Sequence, residues 1–374
     1  MPKRILIIGG YGNFGRFISG MLAREQDLQL IIAGRDIHKA RSHAAALDTV
    51  HPAESVCIDI HGNLTEALAE VVPDIVIHTS GPYQSQGYDV ARACIGQGCH
   101  YIDLADARAF VAGINQLDDA AKARNVLVCS GASSVPTLTS AIIDAYISQF
   151  ERLESVDYGI ATAQLTNRGL ATTAAVLSYA GKPFKTLRDG KETSVYGWLG
   201  LRNRRFWGLN KRMLGNCDIP DLALFPKYYP TLKNIRFQAG LELKFLHLVL
   251  FALSGLARIK LFPPLQPMTP YLLKIARLFD PFGKDNTGFF MDLKGEDDRG
   301  HAKRLLFEIV ARHGDGLYIP SIPSILMAIK LARGKVEKRG AMPCIGLITL
   351  DEYLNAMREL DIEWRVVTDS VDIT

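Results

Sequence analysis

The chain lacks any Cys-x-x-Cys pair: its six cysteines, Cys57, Cys94, Cys99, Cys129, Cys217 and Cys344, are scattered over 374 residues. That spacing argues against a cysteine zinc site or a disulfide framework and reads as reduced core residues of a cytosolic protein, with Cys57 and Cys129 inside apolar strand-like runs. The nine histidines show no ligand spacing, and His38, His43, His51 and His61 fall in a polar stretch, so no bound metal is expected. Net charge is only +4, and no basic stripe with interleaved aromatics runs far enough to suggest nucleic acid, which leaves small molecules as the expected partners. The N-terminus enters a strand directly, without the cationic, apolar and small-residue regions of an export signal, so a cytoplasmic location is expected. Neither an internal repeat nor a low-complexity tract is evident.

What is present first is a turn. After the apolar run Ile5 to Ile8 comes Gly9-Gly10-Tyr11-Gly12-Asn13-Phe14-Gly15, which contains Gly-x-Gly-x-x-Gly. In such a turn Gly10 permits the sharp strand-to-helix reversal, Gly12 lets backbone N–H groups approach a pyrophosphate, and Gly15 lets the helix pack closely. The phosphates then sit at a helix N-terminus. Phe14, Phe17, Ile18, Met21 and Leu22 follow at helical spacing, so strand, turn and helix occur in the required order.

The length implies two domains. In the first third, short apolar runs at 5–8, 30–33, 56–60, 75–79, 101–104 and 126–130 alternate with helical patterns. This predicts an α/β fold, a Rossmann-type doubly wound parallel sheet. Strand-like segments resume at 156–161, 236–241 and 289–294 with irregular intervals, which predicts a second, mixed α/β domain. The boundary is expected at Ser133-Ser134-Val135-Pro136, where serines and an early proline open a helix. Thr349-x-x-Glu352 forms a capping-box pattern before Leu350, Tyr353, Leu354 and Met357.

Residues at the strand ends select the cofactor. The second strand ends in Gly34-Arg35, where an NAD-type fold usually carries an acid; the glycine leaves room for a 2′-phosphate, Arg35 offers it a planar donor, and Lys39 follows one turn later. NADP(H) is therefore expected. Asp36 is a candidate for the ribose or a cap for the next helix, and Asp59 either contacts adenine or ends the third strand. His78-Thr79-Ser80-Gly81-Pro82-Tyr83 follows the fourth strand, so Ser80, Gly81 and Pro82 are expected to line the nicotinamide ribose, with Tyr83 a candidate proton donor. Asp103 ends the fifth strand and is the leading catalytic-site candidate, either orienting a substrate amine or relaying a proton, or serving only as a turn or capping acid, whereas Asp106 is expected to cap a helix. Ser130 and Gly131 open a small-residue loop suited to close approach by nicotinamide, or to a hinge.

Gly81-Pro82-Tyr83, Gly98-Cys99-His100-Tyr101-Ile102-Asp103 and Gly131-Ala132-Ser133-Ser134-Val135-Pro136, with the glycine turn, resemble the saccharopine dehydrogenase-like oxidoreductase family. Gly169-Leu170-Ala171-Thr172-Thr173 and Gly340-Ala341-Met342-Pro343-Cys344-Ile345-Gly346 extend the resemblance. It implies a Rossmann domain over 1–135, an inserted substrate and dimerisation domain over 136–344, and a segment 345–374 returning to the first domain. It also implies a homodimer that moves a hydride between a nicotinamide and a C=N, C=O or activated C=C bond of a small-molecule substrate. Asp103 matches an acidic position of the family's fifth-strand motif, but the lysine and cysteine partners of the saccharopine-forming enzymes have no match here. A non-catalytic NADP-binding sensor or scaffold and a membrane-associated lipid (enoyl) reductase stand as alternatives.

The last alternative rests on the middle of the chain. Phe245 to Leu256 is strongly apolar, though broken by His247 and Ser254, and too short to span a bilayer. It reads as a core helix, a subunit interface or a surface for peripheral membrane or lipid contact. Tyr196 to Trp207 combines aromatics with cations, and Pro263, Pro264, Pro267 and Pro270 then interrupt helix continuity.

Overall fold

A computed structural model describes residues 1–167 and 169–370, and their contacts divide the chain into two units, 1–141 with 318–356, and 142–317 with the C-terminal stretch from 357. In the first unit the apolar runs become strands β1 (Lys3–Ile8), β2 (Leu28–Gly34), β3 (Glu54–Cys57), β4 (Ile75–His78), β5 (His100–Asp103) and β6 (Leu127–Ser130). They pair in parallel in the order β6-β5-β4-β1-β2-β3, and the strand Gly340–Pro343 joins beside β6. Ile5, Leu6, Ile7 and Ile8 are fully buried because helices cover both faces of a parallel sheet, which is why these strands read as unbroken apolar runs. Helix α1 (Asn13–Leu22) buries Ile18 and Leu22, while Phe17 stacks on Tyr318 with ring centroids 4.2 Å apart.

Two expectations for this unit are corrected. Strand β3 covers 54–57 instead of 56–60 and lies at the sheet edge, so Cys57 is exposed and not a core residue. The chain returns to this unit at Tyr318, well before 345, because the helix Ile322–Ala332 packs on α1, β4 and β5 with seven of its side chains buried.

The second unit begins within the helix Thr139–Tyr146, a few residues beyond the expected boundary. Its strands are β7 (Arg152–Ala161), β8 (Pro183–Arg188), β9 (Lys191–Tyr196), β10 (Arg202–Arg205), β11 (Lys211–Asn216), β12 (Asn234–Gly240), β13 (Thr287–Glu296) and β14 (Ala302–Ala311). One mixed sheet runs β10-β11-β12-β7-β13-β14, and β8 and β9 form a separate hairpin. The strand Ile362–Ser370 pairs antiparallel with β14, so the last stretch of chain joins this unit and does not stay with the first. The bidentate pair Arg304–Asp292 and the Arg365 guanidinium on Glu308 tie neighbouring strands of this sheet, and the bidentate pair Arg202–Asp157 links β10 to β7, with β11 and β12 between them in the strand order. The expected capping box is present: the Glu352 N–H donates to Thr349 Oγ1 at 3.2 Å and the Thr349 N–H to Glu352 Oε2 at 2.9 Å.

Candidate nucleotide site at the carboxyl edge of the parallel sheet

The strand ends at Ile8, Gly34, His78, Asp103 and Ser130 all lie at the same edge of the parallel sheet, because parallel neighbours in register deliver their carboxyl ends together. At the first of these, the left-handed residue is Gly9 (φ +80°), one position before the expected one. A Cβ on Gly9 would lie 2.5 Å from Thr79 Oγ1 and 2.6 Å from Ser80 Oγ, so the glycine turn and the loop after β4 touch. A Cβ on Gly15 would overlap the Gly9 carbonyl oxygen, which shows that this glycine lets α1 pack against the turn itself. Gly12 is the N-cap of α1; no side chain caps it, the first turn has no acid, and a Cβ there would meet only the Gly9 oxygen at 3.1 Å. The backbone at Gly12 is thus open to close approach, and the helix end favours an anion.

The end of β2 departs from expectation. The space above Gly34 is filled by the Tyr11 ring, whose atoms would stand 2.5–2.7 Å from a Cβ there, and not left for a phosphate. The Tyr11 hydroxyl accepts the Asp36 N–H at 3.0 Å. Asp36 caps α2 (Ile37–Ala45), its Oδ1 accepting the N–H groups of His38 and Lys39 at 3.1 Å; the Lys39 N–H holds its carboxyl below the usual range. Lys39 Nζ lies 3.3 Å from Asp36 Oδ2 in an exposed pair, and such pairs contribute little. Arg35 is exposed, and its guanidinium has no partner among the described residues. Asp59 is exposed beyond the edge strand, where its Oδ1 accepts the His61 N–H at 3.1 Å as a turn acid.

Beyond β4, Gln86 Nε2 donates to the carbonyls of Ser80 (2.7 Å) and Pro82 (3.2 Å), pinning the loop that carries Gly81. Tyr83 turns inward: it is buried, its hydroxyl donates to the His78 carbonyl at 2.6 Å, and burial pushes its pKa well above 10. A phenol so committed does not serve as the proton donor proposed for it from sequence. Nothing in the spacing marked Gln86, a polar residue in a polar stretch whose role exists only through the folded loop.

Asp103 is fully buried and joins two loops. Its Oδ1 accepts the Gly131 N–H (2.8 Å), the Ala105 N–H (2.9 Å) and the Ser130 hydroxyl (3.0 Å), while its carbonyl accepts the Ala132 N–H at 2.8 Å. Oδ2 has no hydrogen-bond partner among the described residues. Burial raises its pKa to about 6 against the opposing pull of these donors. Beside it, His78 Nδ1 shares a hydrogen bond with the Tyr101 hydroxyl at 3.1 Å, its Nε2 is unpartnered among the described residues, and burial lowers its pKa to about 4. Asp106 does not cap the helix Arg108–Ala112; its Oδ1 accepts from Gln84 Nε2 at 3.0 Å. Gly131 (φ +73°) makes the turn after β6, and the Thr137 hydroxyl donates to its carbonyl at 3.0 Å.

The sheet edge therefore brings Tyr11 of the glycine turn against Gly34 and Asp36, sets Ser80 against Gly9, and ties Asp103 to Ser130 and Gly131. Residues 5–129 match the family model described as the saccharopine dehydrogenase NADP binding domain. No curated protein matches the chain. Among solved structures, the apo saccharopine dehydrogenase (L-Glu forming) from Saccharomyces cerevisiae is similar in fold, with a TM-score of 0.73 at 13% identity over 98% of this chain and 100% of that one. An amine dehydrogenase from Mycobacterium smegmatis gives a TM-score of 0.47 at 11% identity, over 94% of this chain and 96% of that one. The match over residues 5–129, carried on a sheet edge with an open glycine turn, makes this segment similar to the saccharopine dehydrogenase NADP binding domain, with NADP(H) as the cofactor that such a domain holds.

Proposed function

We propose that the protein is an NADP(H)-dependent oxidoreductase that moves a hydride to or from a C=N, C=O or activated C=C bond of a small-molecule substrate. One observation carries this reading: an uncapped helix start at Gly12 and an unpartnered, exposed Arg35 stand at adjacent strand ends of one parallel sheet. Gly10, Gly12 and the backbone of Asn13, Phe14 and Gly15 would hold the pyrophosphate, and Arg35 the 2′-phosphate, with Lys39 released from its weak pair to assist. Tyr11 would flank the adenosine, with Asp59 further along that edge, and Asp36 keeps its role as helix cap. Ser80, Gly81, Pro82, Ser130 and Gly131 would line the nicotinamide end. The bound nicotinamide supplies the hydride; the chain binds and orients it. Asp103 and Tyr83 act as positioning residues that hold the loops after β4, β5 and β6. Family resemblance supports a cytoplasmic homodimer without nucleic acid as a partner.

The test is a titration of the purified chain with NADPH and with NADH. NADPH should bind tighter, and Arg35→Ala should weaken NADPH about ten- to a hundredfold, the equivalent of about 1.5–3 kcal/mol for a charged hydrogen bond, while leaving NADH unchanged. Equal loss for both nucleotides, or no preference in the parent chain, would show the assignment of Arg35 to be wrong. A redox sensor without turnover is a second reading, favoured by the inward commitment of both Tyr83 and Asp103. Tight NADPH binding with no turnover across imine, carbonyl and enoyl panels would select it.

A further inference from the structure

The helix Lys244–Arg258 is amphipathic in the reverse of the usual sense. Its inward stripe is His247, Leu250 and Ser254, all buried, with His247 edge-on to Trp198 at 5.9 Å and the Ser254 hydroxyl donating to the Leu250 carbonyl. Its exposed stripe is Phe245, Leu248, Val249, Ala252 and Leu256, continued by Ile259; at 100° per residue these fall within an arc of about 100° on the opposite side. A soluble helix places its apolar stripe on the core, so the outward position of this one calls for a partner. The apolar surface continues beyond the helix. Leu261 is 74% exposed in the connector, and the helix Thr269–Arg277 leaves Tyr271 and Ile275 outward, followed by Leu278 and Phe282. The two helical regions meet where Phe245 packs edge-on against Phe279 at 4.7 Å. Burial therefore does not make Phe245 to Leu256 a core helix, as one of its sequence readings had it.

Charge decides what covers this face. From Leu243 to Phe279 the chain contains no Asp or Glu, while Lys244, Arg258, Lys260, Lys274 and Arg277 are all exposed around the apolar stripe. A second copy docked through the same patch about a twofold axis would set this cationic rim near an identical rim without carboxylates to answer it. Apolar side chains accompanied by five exposed cations, along a stretch without a carboxylate until Asp280, match a bilayer interface, where rings and leucines enter the acyl boundary and lysines and arginines stay with anionic headgroups. No helix among the described residues is long and apolar enough to cross a membrane, so the contact is peripheral.

We propose that the face formed by Phe245, Leu248, Val249, Leu256, Ile259 and the helix Thr269–Arg277 docks on an anionic lipid bilayer. The test is co-sedimentation of the full chain with vesicles of phosphatidylcholine alone and of phosphatidylcholine with phosphatidylglycerol. Binding should be about tenfold or more tighter to the anionic vesicles and should weaken with salt. The double variant Leu256→Glu/Ile259→Glu, and separately Lys260→Glu/Lys274→Glu, should each lose at least tenfold of that binding with an unchanged melting temperature. The proposal is overturned if the parent chain ignores anionic vesicles, or if both variants bind as well as the parent. Sedimentation equilibrium gives the remaining arm: a dimer that either variant turns into a monomer, without vesicle binding by the parent, makes the face a self-interface and overturns the membrane assignment.

Discussion

Asp103→Asn isolates the cost of keeping a carboxylate wholly inside the first unit. In the folded chain burial raises this carboxyl from 3.8 to about 6, and the two N–H groups and the Ser130 hydroxyl on Oδ1 do not overcome that desolvation. An acid whose pKa is higher folded than unfolded contributes stability that is complete below pH 3.8 and is lost as pH rises through about 6, since the unfolded chain releases its proton first. The loss is of order 1.4 kcal/mol per pKa unit, hence about 3 kcal/mol in all. Buried His78 and half-buried His100, each lowered to about 4 by desolvation, act in the opposite direction, losing stability as pH falls from 6.5 towards 4, and they are common to both proteins. The difference between variant and parent therefore reports Asp103. Urea unfolding followed from pH 4 to pH 7.5 should show the Asn variant gaining about 2.5 kcal/mol relative to the parent, nearly all of it by pH 7, the rest of the loss having occurred below pH 4. A flat difference across that window, or one that favours the parent as pH rises, would refute the account of an ionisable side chain buried at a net loss.

Further outcomes follow from backbone and ion-pair geometry. Gly15→Ala places a methyl into the Gly9–Gly10 backbone and should cost about 1–3 kcal/mol as well as NADPH binding. Gly12→Ala meets only the Gly9 oxygen, at 3.1 Å, and should leave thermal stability nearly unchanged while weakening NADPH; the reverse order of stabilities in a melting assay would contradict the packing described for the turn. Arg212→Met leaves Glu242, 3.3 Å away and almost as buried, without its cation, at a cost of about 3 kcal/mol in chemical denaturation. Adding Glu242→Gln should recover part of that loss, and no recovery would mean that the arginine acts through packing alone.

Which parts of the molecule were legible in its residues follows from how many faces each element buries. Strands β1, β2 and β4 to β6 are buried on both faces and read as unbroken apolar runs, so the parallel sheet and the turn after β1 were evident. Strand β14 and the strand Ile362–Ser370 went unnoticed because Arg304, Glu308 and Arg365 interrupt their apolar character, and those charges are satisfied only across strands, by partners distant in sequence. The same reason separates the two readings of Thr349-x-x-Glu352 and Asp106. A capping box closes within four residues, whereas Asp106 is taken by Gln84, which no local rule could choose.

At the candidate site, local spacing sufficed for the glycines and for the order of strand, turn and helix, because a tight reversal needs those residues whatever surrounds it. Long-range packing decided the rest: that the Tyr11 ring and not a phosphate fills the space over Gly34, that Tyr83 turns its hydroxyl inward, and that three donors from two loops converge on Asp103. It also decided which side of Lys244–Arg258 faces water. Helical periodicity shows that two sides differ, but only the neighbours a helix finds in three dimensions determine which of them is buried.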